Sequence, residues 1–305
     1  MTSARQIRTA YVLLFSGMAV VGSYVAFSKV LVAAIPIFLL ALLRFSIGAL
    51  VLLPFTFKRG AIAQIARYRG TLFLQSFFGN FLFSICMLFG VARTSATAAG
   101  LILSTLPAMV ALFSAVALRE PLNWRTRLAI GLAVIGVASL TLERAPASTA
   151  SDPVLGNLLV LGAVCCEAAY VVLGKRLTTA NFAPMQITAW INLVGLVLVL
   201  PLGLWQGVHF DFTAAPGSLW VLLVLYALGA SVVSTFLWLT GLRSVPANQA
   251  GVFTVALPIS AALVGVLFLG ERLSATEILA FCCAASGIAL VAFTPAGLMP
   301  REGAA

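Results

Sequence analysis

Residues 100–112 read GLILSTLPAMVAL, and residues 251–263 read GVFTVALPISAAL. Gly100 and Gly251, Leu106-Pro107 and Leu257-Pro258, Ala111-Leu112 and Ala262-Leu263 stand 151 positions apart without a gap. The register extends in both directions: Gly90 pairs with Gly241, Glu120 and Leu122 with Glu271 and Leu273, Leu128-Ala129 with Leu279-Ala280, and Gly136 with Gly287. Self-similarity at one fixed period means one unit built twice. Two domains are therefore expected, 1–145 and 146–305.

Between these landmarks the chain is apolar: 62% hydrophobic and 9% charged over 305 residues, with a mean hydropathy of +1.12. Soluble domains carry about 25% charged residues, so the composition is that of an integral membrane protein. A helix needs about 20 apolar residues to cross about 30 Å of hydrocarbon. Ten such runs are legible, at 9–32, 36–57, 70–91, 95–118, 125–142, 154–175, 184–205, 217–241, 247–269 and 274–294. They are continuous rather than alternating, which excludes a transmembrane barrel. Lys58-Arg59-Gly60, Glu120 to Asn123, the Pro146–Pro153 stretch and Ala215-Pro216-Gly217 punctuate them. Asn123 and Ser274-Ala275-Thr276-Glu277 read as helix starts. The first run is too long for the core of a cleaved signal peptide and is expected to stay as a helix.

Lysine and arginine orient the chain. With the amino terminus inside, the inner segments hold Arg5, Arg8, Lys58, Arg59, Arg67, Arg69, Arg119, Arg125, Arg127, Lys175, Arg176, Arg243 and Arg301. The outer ones hold Arg93, Arg144, Arg272 and Lys29. Both termini are thus expected in the cytoplasm, at the inner (plasma) membrane. The net charge of +10 is scattered over short loops and forms no nucleic-acid surface. Five spans per copy is an odd number, so the second copy inserts upside down. Such inverted repeats are how many secondary transporters generate their inward- and outward-open states. Pro107 and Pro258 lie in register in spans four and nine, where each removes an amide donor. Interrupted helices at matching positions point to gating or a central binding site.

Further residues carry a resemblance. Val21 to Lys29 (VGSYVAFSK), Arg44-Phe45, Leu106-Pro107 through Leu118-x-Glu120, and Leu242 to Ala247 (LRSVPA) resemble the EamA family of the drug/metabolite transporter superfamily, in both copies. That resemblance implies a ten-helix inner-membrane carrier that usually exports amino acids or related metabolites. The position before Gly22-Ser23 is often Trp in that family and is Val21 here.

Site residues are sought where the copies differ. Aligning Tyr24 with Tyr170 and Lys29 with Lys175 sets Glu167 opposite Val21. A carboxylate at such depth costs at least about 2.5–3.5 kcal/mol unless it meets water or a partner. It reads as a counter-charge for a substrate amine or as a proton carrier, against a structural acid bonded to a neighbour. Arg44 pairs with Glu167, receives a substrate carboxylate, or serves structurally by capping a helix or snorkelling. Gln75, Gly79, Asn80 and Ser84 form one small polar stripe, and Ser231, Ser234, Thr235 and Trp238 another. Asn80 and Trp238 are the bulkiest candidates to line a cavity. Tyr24 and Tyr170 read as gates on opposite sides or as interfacial aromatics. Lys29 and Lys175 read as interfacial anchors, and Glu120 and Glu271 as helix caps.

Cys86, Cys165, Cys166, Cys282 and Cys283 lie inside spans without metal-ligand spacing, and His209 near Asp211 reads as a solvated loop residue. No metal and no cofactor are expected, and no Gly-rich loop suggests ATP. One loop histidine and no paired carboxylates argue against an intramembrane enzyme, and the internal repeat argues against a channel. The expected function is secondary transport of an amino acid or related small molecule outward. The alternative is a carrier for amines, vitamins or drugs. Partners are a small-molecule substrate, the lipid bilayer and, as candidate coupling ions, protons; monomer and homodimer stay open.

Overall fold

The computed structural model describes residues 4–56, 61–94, 96–103, 105–119, 124, 128, 152–180 and 182–268. Among the described residues there is no strand, and seven helices are long and apolar enough to cross a membrane. Span one is Ala4–Ala34, span two Ile37–Thr56, span six Pro153–Thr179 and span seven Pro184–Val208. Span three runs through Ala61–Ser76, bent at Tyr68, then a π-helical turn Phe77–Leu82, then Phe83–Val91. Span eight is Gly217–Leu228, a π-helical turn Gly229–Val233 and Ser234–Leu242. Span nine is Ala247–Val252, a 3₁₀ turn Phe253–Val255 and Ala256–Phe268. Span four is two shorter helices, Ala96–Leu103 and Leu106–Ala117. Of span five only Trp124 and Leu128 are described. Span ten, both expected starts at Asn123 and Ser274, and Glu120 and Glu271 lie outside the described residues.

Both helices are interrupted at the prolines, and each proline stands just after the break rather than removing an amide from a regular helical turn. Pro107 is the second residue of the second helix of span four, after the break. Its missing amide falls in a first turn, where no acceptor waits for it. Pro258 follows the 3₁₀ turn of span nine in the same way, as the third residue of Ala256–Phe268. Hydroxyls take up carbonyls at both breaks: Thr105 donates to Ile102 O at 2.7 Å and Thr254 to Gly251 O at 2.6 Å. The interruption is thus built into the backbone before each proline.

The π-helical turns add a second matched pair. Shifted by 151, residues 78–82 become 229–233. A π turn takes one extra residue and leaves a carbonyl short of its amide. Ser84 donates to Asn80 O, and Ser234 to Ala230 O at 2.9 Å.

Contacts between the halves also come in pairs. A Cβ added at Gly90 in span three would lie 2.8 Å from Val160 and 3.2 Å from Gly156 O in span six. One added at Gly241 in span eight would lie 2.7 Å from Leu14 and 2.8 Å from Ala10 O in span one. Leu14 and Ala10 stand 146 positions before Val160 and Gly156, the offset that pairs Tyr24 with Tyr170. Span three therefore packs on span six as span eight packs on span one.

Spans two and seven form a pair bolted at both ends. Gln206 Oε1 accepts from Phe38 N at 2.8 Å and Leu39 N at 3.0 Å, capping span two from its neighbour. At the other end Trp190 Nε1 donates to Thr56 O at 3.2 Å. Span six is capped locally: Asp152 accepts from Leu155 N at 3.1 Å, with Pro153 at the first helical position. In the loop before span eight, His209 is exposed and Asp211 accepts from Thr213 Oγ1 and N. Those bonds hold the Asp211 carboxyl below the usual carboxylate range.

Candidate functional site

Glu167 lies 14 residues into the 27-residue span six, about 21 Å along it at 1.5 Å per residue. It is 6% exposed, and no hydrogen bond to its carboxylate forms among the described residues. The groups around it come from four other spans. Tyr24 of span one feels the charges of both Glu167 and Arg44 and packs edge-on against Tyr226 of span eight, with ring centroids 5.5 Å apart. Tyr170, one helical turn beyond Glu167, lies within electrostatic reach of Glu167 and Tyr24. Gly79 of span three faces the Tyr170 ring so closely that a Cβ has no room there.

Arg44 closes the other side. It is 4% exposed in the middle of span two, donates to Ser84 Oγ at 2.8 Å, and sits 4.3 Å above the Phe45 ring and 5.9 Å from that of Tyr226. Its Nε has no partner. This overturns the helix-capping and snorkelling readings: the side chain points inward, where stacking and one hydrogen bond hold a charge that lipid would reject. Nor does Arg44 pair with Glu167, since no ion pair joins them among the described residues. A small apolar cavity is lined by Ile37, Phe45, Phe81, Ser84 and Val199. Arg44→Lys, which keeps the charge and loses the planar stack, is expected to destabilise the protein by about 1–2 kcal/mol. A thermal unfolding curve in detergent checks this, and an unchanged midpoint would contradict the stacking role.

Other candidates fall elsewhere. Tyr24 packs on Tyr226 of span eight, and Tyr170 faces Gly79 of span three. Asn80 is turned by the π segment toward span seven, where its Nδ2 donates to Ile191 O at 3.0 Å, an acceptor shared with Ser76. Ser234 is satisfied within its own helix. Trp238 is buried in an apolar core to which spans one, three, four, six, seven, eight and nine contribute, its indole N–H unpartnered. Gln75 is fully buried and unpartnered at both amide atoms. Lys175 is not an interfacial anchor: its Nζ donates to Leu242 O at 3.2 Å and Val245 O at 2.6 Å. The side chain of Lys29 lies outside the described residues.

Two residues escaped the sequence. Asn192, buried in span seven, donates to Thr188 O at 3.0 Å and to Ser231 O in the span-eight π turn at 2.7 Å. With Ile191 O it ties both π turns to span seven; a lone asparagine in an apolar run was the available signal. Tyr226 had none, being one aromatic among many. Cys86 of span three and Cys166 of span six are free thiols, and among the described residues no His, Cys, Asp or Glu cluster could hold a metal.

The sequence profile of the EamA-like transporter family matches residues 8–142 and 154–293. The chain is 36% identical over 282 residues to an uncharacterised transporter of Bacillus subtilis, YetK, spanning 92% of this chain and 85% of that one. It is 31% identical over 181 residues to the threonine/homoserine exporter RhtA of Salmonella typhimurium, spanning 58% and 55%. A crystal structure 22% identical in sequence shares its fold, with a TM-score of 0.66 over 93% of this chain and 96% of the other.

Proposed function

Because the chain belongs to the EamA-like transporter family, we propose that it is a secondary carrier exporting a small zwitterion, an amino acid or close relative, by alternating access. The observation that carries this reading is a buried carboxylate, Glu167, and a buried guanidinium, Arg44, that do not pair with each other among the described residues. A substrate ammonium on Glu167 and a substrate carboxylate on Arg44 would satisfy both. The printed function of the Salmonella relative, threonine and homoserine export, supports the same class. In this reading ten helices form two inverted halves, 1–145 and 146–305, both termini face the cytoplasm across the inner membrane, and Glu167 also accepts protons as coupling ions. The prolines and π turns in spans three, four, eight and nine supply the hinges.

The test is exchange in proteoliposomes preloaded with labelled threonine, run at two pH values against unlabelled competitors. Competition by amino acids, and none by an amine or a carboxylic acid carrying only one of the charges, is the expected outcome. Equal competition by a simple amine would make the protein an amine carrier that uses Glu167 alone. No exchange with any amino acid would overturn the substrate class. Saturation and counterflow separate a carrier from a pore.

A further inference from the structure

Span six ends in two adjacent cations, Lys175 and Arg176, and each bonds the last carbonyls of a helix from a different half. Arg176 donates to Ala117 O at 2.8 Å, and Ala117 is the final residue of span four. Lys175 donates to Leu242 O at 3.2 Å and Val245 O at 2.6 Å, and Leu242 is the final residue of span eight. Helix ends present unpaired carbonyls and the negative end of the dipole, so two cations placed there grip both helices at once. Immediately above this grip lies Gln75. A Cβ added at Gly174, next to Lys175, would meet Gln75 Nε2 at 2.8 Å and Leu239 and Leu242 beyond it. Both amide atoms of Gln75 are buried without a partner, so hydrogen-bonding capacity is left unused at this point of the fold.

We infer that Lys175 and Arg176 form a latch that closes one mouth of the transport pathway over Gln75, holding spans four and eight against span six until the carrier turns over. The latch rests on the carrier reading above, yet its test needs no substrate. The charge bias makes this mouth the cytoplasmic one. Opening exchanges three cation–carbonyl bonds for hydration of the two cations and of Gln75, and at rest the closed state is the dominant one.

The reporter is Gln75→Cys in the full-length chain, in membrane vesicles of both orientations, treated with a membrane-impermeant maleimide. Labelling of the peptide containing position 75 is read by mass spectrometry, which separates it from the native cysteines. With Lys175 in place labelling is expected to be slow from both faces. Adding Lys175→Met, or separately Arg176→Met, is expected to speed it about tenfold or more from one face only. Lys175→Arg keeps donors and charge and is expected to restore slow labelling. Lys29→Met, at the repeat-related position, is expected to leave labelling from that face unchanged. Unaltered labelling in both Met variants, or equal acceleration from both faces, would overturn the latch. Local fraying of two helix ends would not by itself expose position 75.

Discussion

Glu167→Gln is expected to leave a folded protein that is more heat-stable than its parent and exchanges substrate about ten- to a hundred-fold more slowly. The slowing is the loss of one charge-assisted hydrogen bond to substrate, worth about 1.5–3 kcal/mol, at about 1.4 kcal/mol per tenfold. The gain in stability follows from burial: the carboxylate is 6% exposed and receives no hydrogen bond among the described residues. A charge held in that way is a burden on the fold, kept where function needs it. An amide of the same shape removes the charge and should raise the unfolding midpoint. The two readouts distinguish the roles. An acid that only braces its neighbours would lose stability when neutralised, and wild-type exchange with an unchanged pH profile would remove Glu167 from the pathway altogether.

Gly22→Ala is expected to abolish most of the folded protein, lowering its stability by about 3 kcal/mol or more. A Cβ at Gly22 of span one would fall on the carbonyl of Leu257 and on Ser260 Oγ of span nine. The serine hydroxyl can rotate away. The carbonyl cannot, because it belongs to the first turn of Ala256–Phe268, just before Pro258 and just after the 3₁₀ break. The substitution therefore forces spans one and nine apart at the interruption. Gly70→Ala is the control. Nothing lies within 4 Å of a Cβ there, so replacing a helical glycine should be neutral or stabilising by about 0.5–1 kcal/mol. Fluorescence-detected size exclusion after heating compares both variants with the parent, and an unaffected Gly22→Ala protein would mean that spans one and nine do not approach as described.

Some of the site was legible before any coordinates. Glu167 stood out because an acid deep in an apolar run has few structural excuses, and it does lie buried among residues from several spans. The aligned tyrosines pack on spans three and eight, Tyr170 against Gly79 and Tyr24 against Tyr226. For Arg44 the sequence leaves open whether the side chain snorkels or turns inward, because both have the same sequence; burial between Phe45, Tyr226 and Ser84 decides for the inward direction. Lys175 was misjudged for the same reason, since a lysine at a helix end looks like an anchor until the carbonyls of Leu242 and Val245 are found beside it. Asn80 was displaced by the π turn, which rotates the residues that follow and breaks the regular 3.6-residue spacing on which the stripe was drawn.

The sequence by itself determined the class, the duplication, the positions of the prolines and the one deeply placed acid. Hydropathy, a fixed period and the energetic penalty of charge in lipid are properties of the chain alone. Only the tertiary structure decided which face of each span turns inward, that spans three and eight carry matched π turns, and that Arg44 and Tyr24 both approach the Tyr226 ring. In water an amphipathic stripe announces the buried face of a helix. In lipid both faces are apolar, so the inward face is chosen by glycine contacts, hydrogen bonds between helices and carbonyl capping, and these exist only once the spans are packed.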